Sequence, residues 1–98
     1  MIRAMYRWNI TPGKETRFVE LWEDGTRQIK ATCPGDMGAI LIRSTTNRQH
    51  YVAIAIWESR EAMDEAHRTI EALKLRGPIP ELVDVFEEVS EIGLTRPS

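Results

Sequence analysis

The chain has 98 residues, with 13 Lys and Arg against 15 Asp and Glu, two His and one Cys, for a formal net charge of -2. That length supplies one domain with a single modest core, 1–98, and the charge balance lacks the basic excess of a nucleic-acid-binding face. The longest apolar run, Tyr51 to Trp57, is too short to cross a bilayer, no leader-like apolar core follows Arg3 and Arg7, and a lone Cys33 forms no internal disulfide; these features predict a cytoplasmic domain that contacts neither membrane nor nucleic acid.

Residues 2–10, IRAMYRWNI, alternate as a strand does, with Ala4, Tyr6, Trp8 and Ile10 on one face and Met5, Arg7 and Asn9 on the other. Thr11 is placed to cap, and Pro12 to open, a helix over 12–31, on which Phe18, Leu21, Trp22, Gly25 and Ile29 recur at helical spacing. The turn CPGD closes it. Two branched, apolar segments follow, GAILIRST at 38–45 and HYVAIAIW at 50–57, and TNRQ between them predicts an antiparallel hairpin. Ser59 is positioned to cap a helix over about 59–75 whose Ala62, Ala66, Ile70 and Leu73 share a face, and RGPIP ends it. In ELVDVFEEVSEIGLT a short helical turn near 80–85 is expected, then a strand over about 86–94.

This order, β-α-β then β-α-β, predicts an α+β ferredoxin-like sandwich: a four-stranded antiparallel sheet with two helices on one face. The other face is expected to carry Val52, Ile54, Ile56, Ala39 and Leu41. In so short a chain the expected cover for that face is a second copy, giving a homodimer.

Few residues advertise chemistry. His50, His67 and Cys33 stand at no ligand-pair spacing, so no metal is expected, and no phosphate loop or Ser-His-Asp pattern is present. The aromatics are more informative. If the odd-numbered residues of 50–57 face the helices, Tyr51 and Trp57 bound a space that Ala53 and Ala55 leave open, which is the form of a small-ligand pocket. Trp8 extends that wall, Tyr6 offers a hydroxyl, Trp57 an indole N–H, and His67, one turn beyond Met63, an imidazole that titrates near neutrality. Each also has a plainer reading: aromatics that fill the core, as Trp22 does, and a histidine exposed on a helix face.

Taken together, ITPGKETRFVELW, GAILIR and YVAIAIWESREAM, with a strand before and after them, resemble the antibiotic biosynthesis monooxygenase family over nearly the whole chain. The most telling pieces are the P-G-x-E helix opening and the W-E-S-x-E-A junction. The resemblance implies a dimeric α/β barrel and oxygenation of a small aromatic such as a quinol or anthrone by O2, without flavin, haem or metal. It places Trp57 at the cleft between sheet and helices; the reading of the residues themselves adds Tyr6 and Trp8 beside it and His67 as candidate base. Ile42, Ala53 and Met63 fall where polyketide-oxidising members carry a tyrosine, an asparagine and a second tyrosine, so those positions mark the substrate side without the polar groups. The haem-degrading pattern is missed at Tyr6, Ala66 and Arg76. The alternative is a non-catalytic binding or structural homodimer of the same fold.

Overall fold

A computed structural model describes residues 1–94. The elements run β1 (Ile2–Asn9), α1 (Glu15–Thr32), β2 (Asp36–Arg43), β3 (His50–Trp57), α2 (Arg60–Leu73) and β4 (Glu81–Glu87). The four strands form one antiparallel sheet in the order β2-β3-β1-β4. This is the ferredoxin-like α+β sandwich that the split βαβ order predicts.

Side chains directly opposite one another across an antiparallel pair share a face. In the β1–β3 register Ile2 lies opposite Trp57, Ala4 opposite Ala55, Tyr6 opposite Ala53 and Trp8 opposite Tyr51. All eight therefore point to one side, and both helices cover it. Met63 and Ala66 of α2 pack with Ala4, Trp57 and Cys33, while Phe18 of α1 packs with Trp8, Ile10, Tyr51 and Ala53. The core thus has two adjoining parts, one beneath each helix. Rings of Trp8 and Tyr51 approach Phe18 with centroids 5.1 and 5.0 Å away, tilted and edge-on, the arrangements that aromatic quadrupoles favour.

The second helix begins as its sequence predicts: the Ser59 hydroxyl accepts the Ala62 backbone N–H at 3.1 Å, satisfying one of the helix's free donors. The first helix does not. Gly13 has φ +91, which no helical residue adopts, so Thr11–Lys14 forms a turn closed by Lys14 N–H donating to Thr11 C=O at 3.0 Å. The helix opens at Glu15 with no side-chain cap, rather than at Pro12.

Two further expectations are corrected. Ala39 lies opposite Ala55 and Leu41 opposite Ala53, so both face the helices, and Ile40 and Ile42 occupy the open face with Ile54 and Val52. The register shifts between Asp36 and Ala39, at Gly38 with φ +115. Among the described residues, the chain after α2 contains no helical turn. Pairing with the free edge of β1 draws Glu81–Glu87 into a strand, with a bulge opposite Met5 and Tyr6, and residues 88–94 lie outside any strand. The Arg7 guanidinium grips both carboxylate oxygens of Glu81, at 2.8 and 3.0 Å, and holds that carboxyl below its usual range. Arg3 reaches Glu88 at 2.9 Å, so an ion pair marks each end of the β1–β4 ladder. Among the described residues no helix is long and apolar enough to cross a membrane.

Candidate functional site

Between the sheet and the helices lies a cleft of about 650 Å³, open on one side. Its floor is Ala53 and Ala55 of β3, whose small side chains leave room under the helices, and Tyr6, Trp8 and Trp57 wall it. From α1 it takes Phe18 and Trp22, and from α2 His67. The segment 74–80 bends across its far end, where the Trp8 indole N–H donates to the Pro78 carbonyl at 3.0 Å.

The polar centre of the cleft is one contact. The Tyr6 hydroxyl and Nε2 of His67 are 2.6 Å apart, with ring centroids 6.0 Å apart and near edge-on. Burial pushes the Tyr6 phenol up to about 12, and the Trp57 indole N–H beside it works against that rise. Burial also holds the His67 imidazole below its ordinary value, with Asp64 opposing the fall and Arg60 reinforcing it. Both shifts favour the uncharged forms, so near neutral pH the phenol keeps its proton; in the tautomer with the ring proton on Nδ1, the phenol donates to Nε2. Trp57, only 2% exposed, stands edge-on to His67 with centroids 6.4 Å apart. Its N–H lies near enough to the Tyr6 oxygen to favour an ionised phenol, but not in hydrogen-bond geometry, and is left without a partner. A buried unpaired donor costs about 1–3 kcal/mol.

Tyr6, Trp8, Ala53, Trp57 and His67 therefore meet in one cleft. Two other sequence candidates do not join them. Met63 is 1% exposed and packs beneath Trp57 among Ala4, Cys33 and Ala66, so it supports the wall from behind. Ile42 points from the other face of the sheet, opposite Val52, and is 46% exposed. Sequence reading missed the contribution of α1 and of residues 74–80. Trp22 is half-buried on the cleft wall rather than enclosed in the core, and Pro78 supplies a carbonyl, which no side-chain motif announces. Among the described residues no group of three or more His, Cys, Asp or Glu side chains is placed to hold a metal ion.

An α+β sandwich of this order, with an aromatic cleft between sheet and helices, defines a class of small ferredoxin-like domains, and comparison narrows it. The antibiotic biosynthesis monooxygenase family model matches residues 1–76, and the chain belongs to that family. No curated protein matches it in sequence. Among solved structures, it is similar to a mutant of SnoaB, a cofactor-independent oxygenase from Streptomyces nogalater, at 22% identity and TM-score 0.73, over 92% of this chain and 94% of that one. It is similar also to the haem degrader MhuD from Mycobacterium tuberculosis, at 19% identity and TM-score 0.76, over 95% and 100%. A conserved protein from Methanosarcina mazei Go1 matches at 15% identity and TM-score 0.69, over 90% and 92%. At these identities the likeness is one of fold.

Proposed function

We propose that the protein is a cofactor-independent monooxygenase-like enzyme that binds a small electron-rich aromatic, a quinol or polyketide-type anthrone, and oxidises it with O2. The observation that carries this reading is the Tyr6–His67 contact at 2.6 Å inside an aromatic-walled cleft. Such substrates reduce dioxygen themselves once deprotonated, so the protein's work is to bind the ring, remove one proton and exclude water. A substrate hydroxyl or enol placed against Tyr6 gives its proton to the Tyr6 oxygen as Tyr6 passes its own to Nε2 of His67. Substrate anion, neutral Tyr6 and His67 imidazolium result, and the new positive charge holds the anion. For an anthrone the balance is complete: the ring CH2 becomes C=O, four electrons pass to O2, and its two oxygen atoms end in the new carbonyl and one water. Trp57 and Trp8 hold the ring plane, and the Trp57 N–H offers a donor to the negative charge on the relay.

The open sheet face supports a homodimer. Ile40, Ile42 and Phe86 are 55%, 46% and 46% exposed there, beside Val52, Ile54 and Ile56, and a second copy covers them best. Haem does not fit this reading, because Nε2 of the cleft imidazole is already committed to Tyr6. A second reading, a binding protein without turnover, draws support from the aromatic and alanine walls around that polar pair.

Oxygen uptake by metal-free protein with a panel of anthrones and quinols separates the two. Uptake above the protein-free rate, lost in Tyr6→Phe, supports the enzyme. Ring binding without uptake across the panel moves the reading to the binder.

A further inference from the structure

One side of the cleft is a single stripe of α2. His67, Ile70, Glu71 and Lys74 stand at i, i+3, i+4 and i+7, and all four line it. Seven residues at the helical rise carry the stripe about 10 Å from the proton-accepting ring to the helix end. There Lys74, at φ 50, turns the chain into 75–80, which brings Arg76 to the same rim.

These two cations differ from most others. Arg3, Arg7, Arg17, Arg27, Arg60 and Arg68 each meet a carboxylate, at 2.6 to 3.7 Å. Among the described residues Lys74 and Arg76 meet none, although Glu71 lies on their stripe. The one other carboxylate lining the cleft, Asp36, is buried opposite Trp57, at the end away from residues 74–80, and accepts the Gly38 N–H at 2.7 Å. The cleft is therefore polarised along its length, from a proton acceptor near its middle to an unpaired cationic rim.

We infer that the ligand is an aromatic acid, a hydroxyarene whose acidic hydroxyl reaches Tyr6 and whose carboxylate, roughly two helical turns away, is held by Lys74 and Arg76. This rests on the aromatic-cleft reading above and adds the anionic group to it. Lys74 and Arg76 are then specificity residues, since two ion pairs at the exposed rim favour the acid over its neutral analogue. The apolar cleft takes the rings of both.

The test is calorimetric titration near neutral pH with 6-hydroxy-2-naphthoate and with 2-naphthol, which differ only in the carboxylate at the far end. The wild-type protein is expected to bind the acid about tenfold more tightly at low salt. Salt at about 0.5 M should shrink that preference without touching naphthol binding. The double variant Lys74→Gln, Arg76→Gln, which keeps the side-chain stems, should bind the two ligands equally. Equal affinities in the wild type, or a preference that survives the double variant, overturn the inference while leaving the aromatic cleft standing. Binding of neither ligand overturns both.

Discussion

The Tyr6 hydroxyl and Nε2 of His67, 61 residues apart in the chain, meet at 2.6 Å because two different periodicities bring them to the same space. Tyr6 belongs to the helix-facing row of β1, opposite Ala53, and His67 lies one helical turn beyond Met63 on the buried side of α2. If this pair relays the substrate proton, His67→Gln and Tyr6→Phe should each lower kcat by about 100-fold, the scale of a lost acid–base contribution. Neither change empties the core, so thermal unfolding should move little. Steady-state oxygen uptake alongside calorimetry checks this, and undiminished turnover in both variants sinks the relay.

The pH dependence follows from the same pair. Only neutral His67 accepts the relayed proton, and burial holds its pKa below the ordinary 6.5. The acidic limb of kcat/KM, which reports the free protein, should therefore lie below pH 6.5, and the phenol, pushed up to about 12, should impose no alkaline limb near neutrality. An acidic limb above 6.5 is the contrary outcome.

Stability should carry the same signature. The unfolded imidazole takes up its proton near 6.5 and the folded one only at lower pH, so between those values the unfolded chain binds more protons. The stabilisation is fully present above 6.5 and is lost as pH falls through the folded value. Chemical denaturation from pH 7 to pH 4.5 should give a steeper loss for the wild type than for His67→Gln. The difference between the two slopes isolates this residue from the carboxylate ion pairs, which also weaken in acid.

Much of the fold was legible because the strands and helices carry periodic signals strong enough to stand alone. The unbroken apolar run fixed β3 at His50–Trp57, and Ser59 marked the start of α2. Apart from the start of α1, which the local turn at Gly13 moves, the misreadings fall where a tertiary partner decides. Residues 40–42 are Ile-Leu-Ile, so alternation says nothing about which of them faces the helices, and only the hairpin register sends Leu41 inward and Ile40 and Ile42 outward. ELVDVFE satisfies a helical and an extended pattern equally, and the free edge of β1 settles it. Within the site, Trp8, Trp57, Tyr6, Ala53 and His67 could be gathered from face assignment, whereas the 74–80 segment could not. Its contribution depends on the left-handed turn at Lys74 and on a backbone carbonyl.

Trp57 is both wall and core, and the two roles predict opposite balances. At 2% exposure, over Met63 and Ala66, its replacement by Phe leaves a void in the tightly packed half of the molecule. Trp57→Phe also removes the unpartnered N–H, which offsets part of that loss. A net destabilisation of about 1–2 kcal/mol is expected in urea unfolding, together with weaker binding of an aromatic ligand. A variant that binds as tightly as the wild type assigns Trp57 to the core alone.

The open face makes a separate prediction. Ile42 pairs with Val52 on the uncovered side and is nearly half exposed, so a charge there costs a lone chain little. In a dimer that buries this face, Ile42→Glu places an unpaired carboxylate in an apolar interface, which costs several kcal/mol. Light scattering should report a dimer for the wild type and a folded monomer for the variant. A wild-type monomer at every concentration removes the dimer from the account.

Gly35 tests how closely α2 is seated. A side-chain carbon built there meets the Cβ of Ala62, in the first turn of α2, closer than any packed pair allows, while the Gly35 carbonyl accepts the Glu58 N–H at 2.9 Å. The residue joins the end of α1 to the exit of β3, so neither element can retreat without breaking that bond. Gly35→Ala should therefore destabilise the fold by about 1–3 kcal/mol, the cost of overpacking a rigid contact. Ala62→Gly removes the colliding atom and should recover part of the loss in the double variant, even though glycine alone at Ala62 weakens the helix by about 1 kcal/mol. A double-mutant cycle in urea gives the coupling directly, and additive effects would mean that the two backbones are free to move apart.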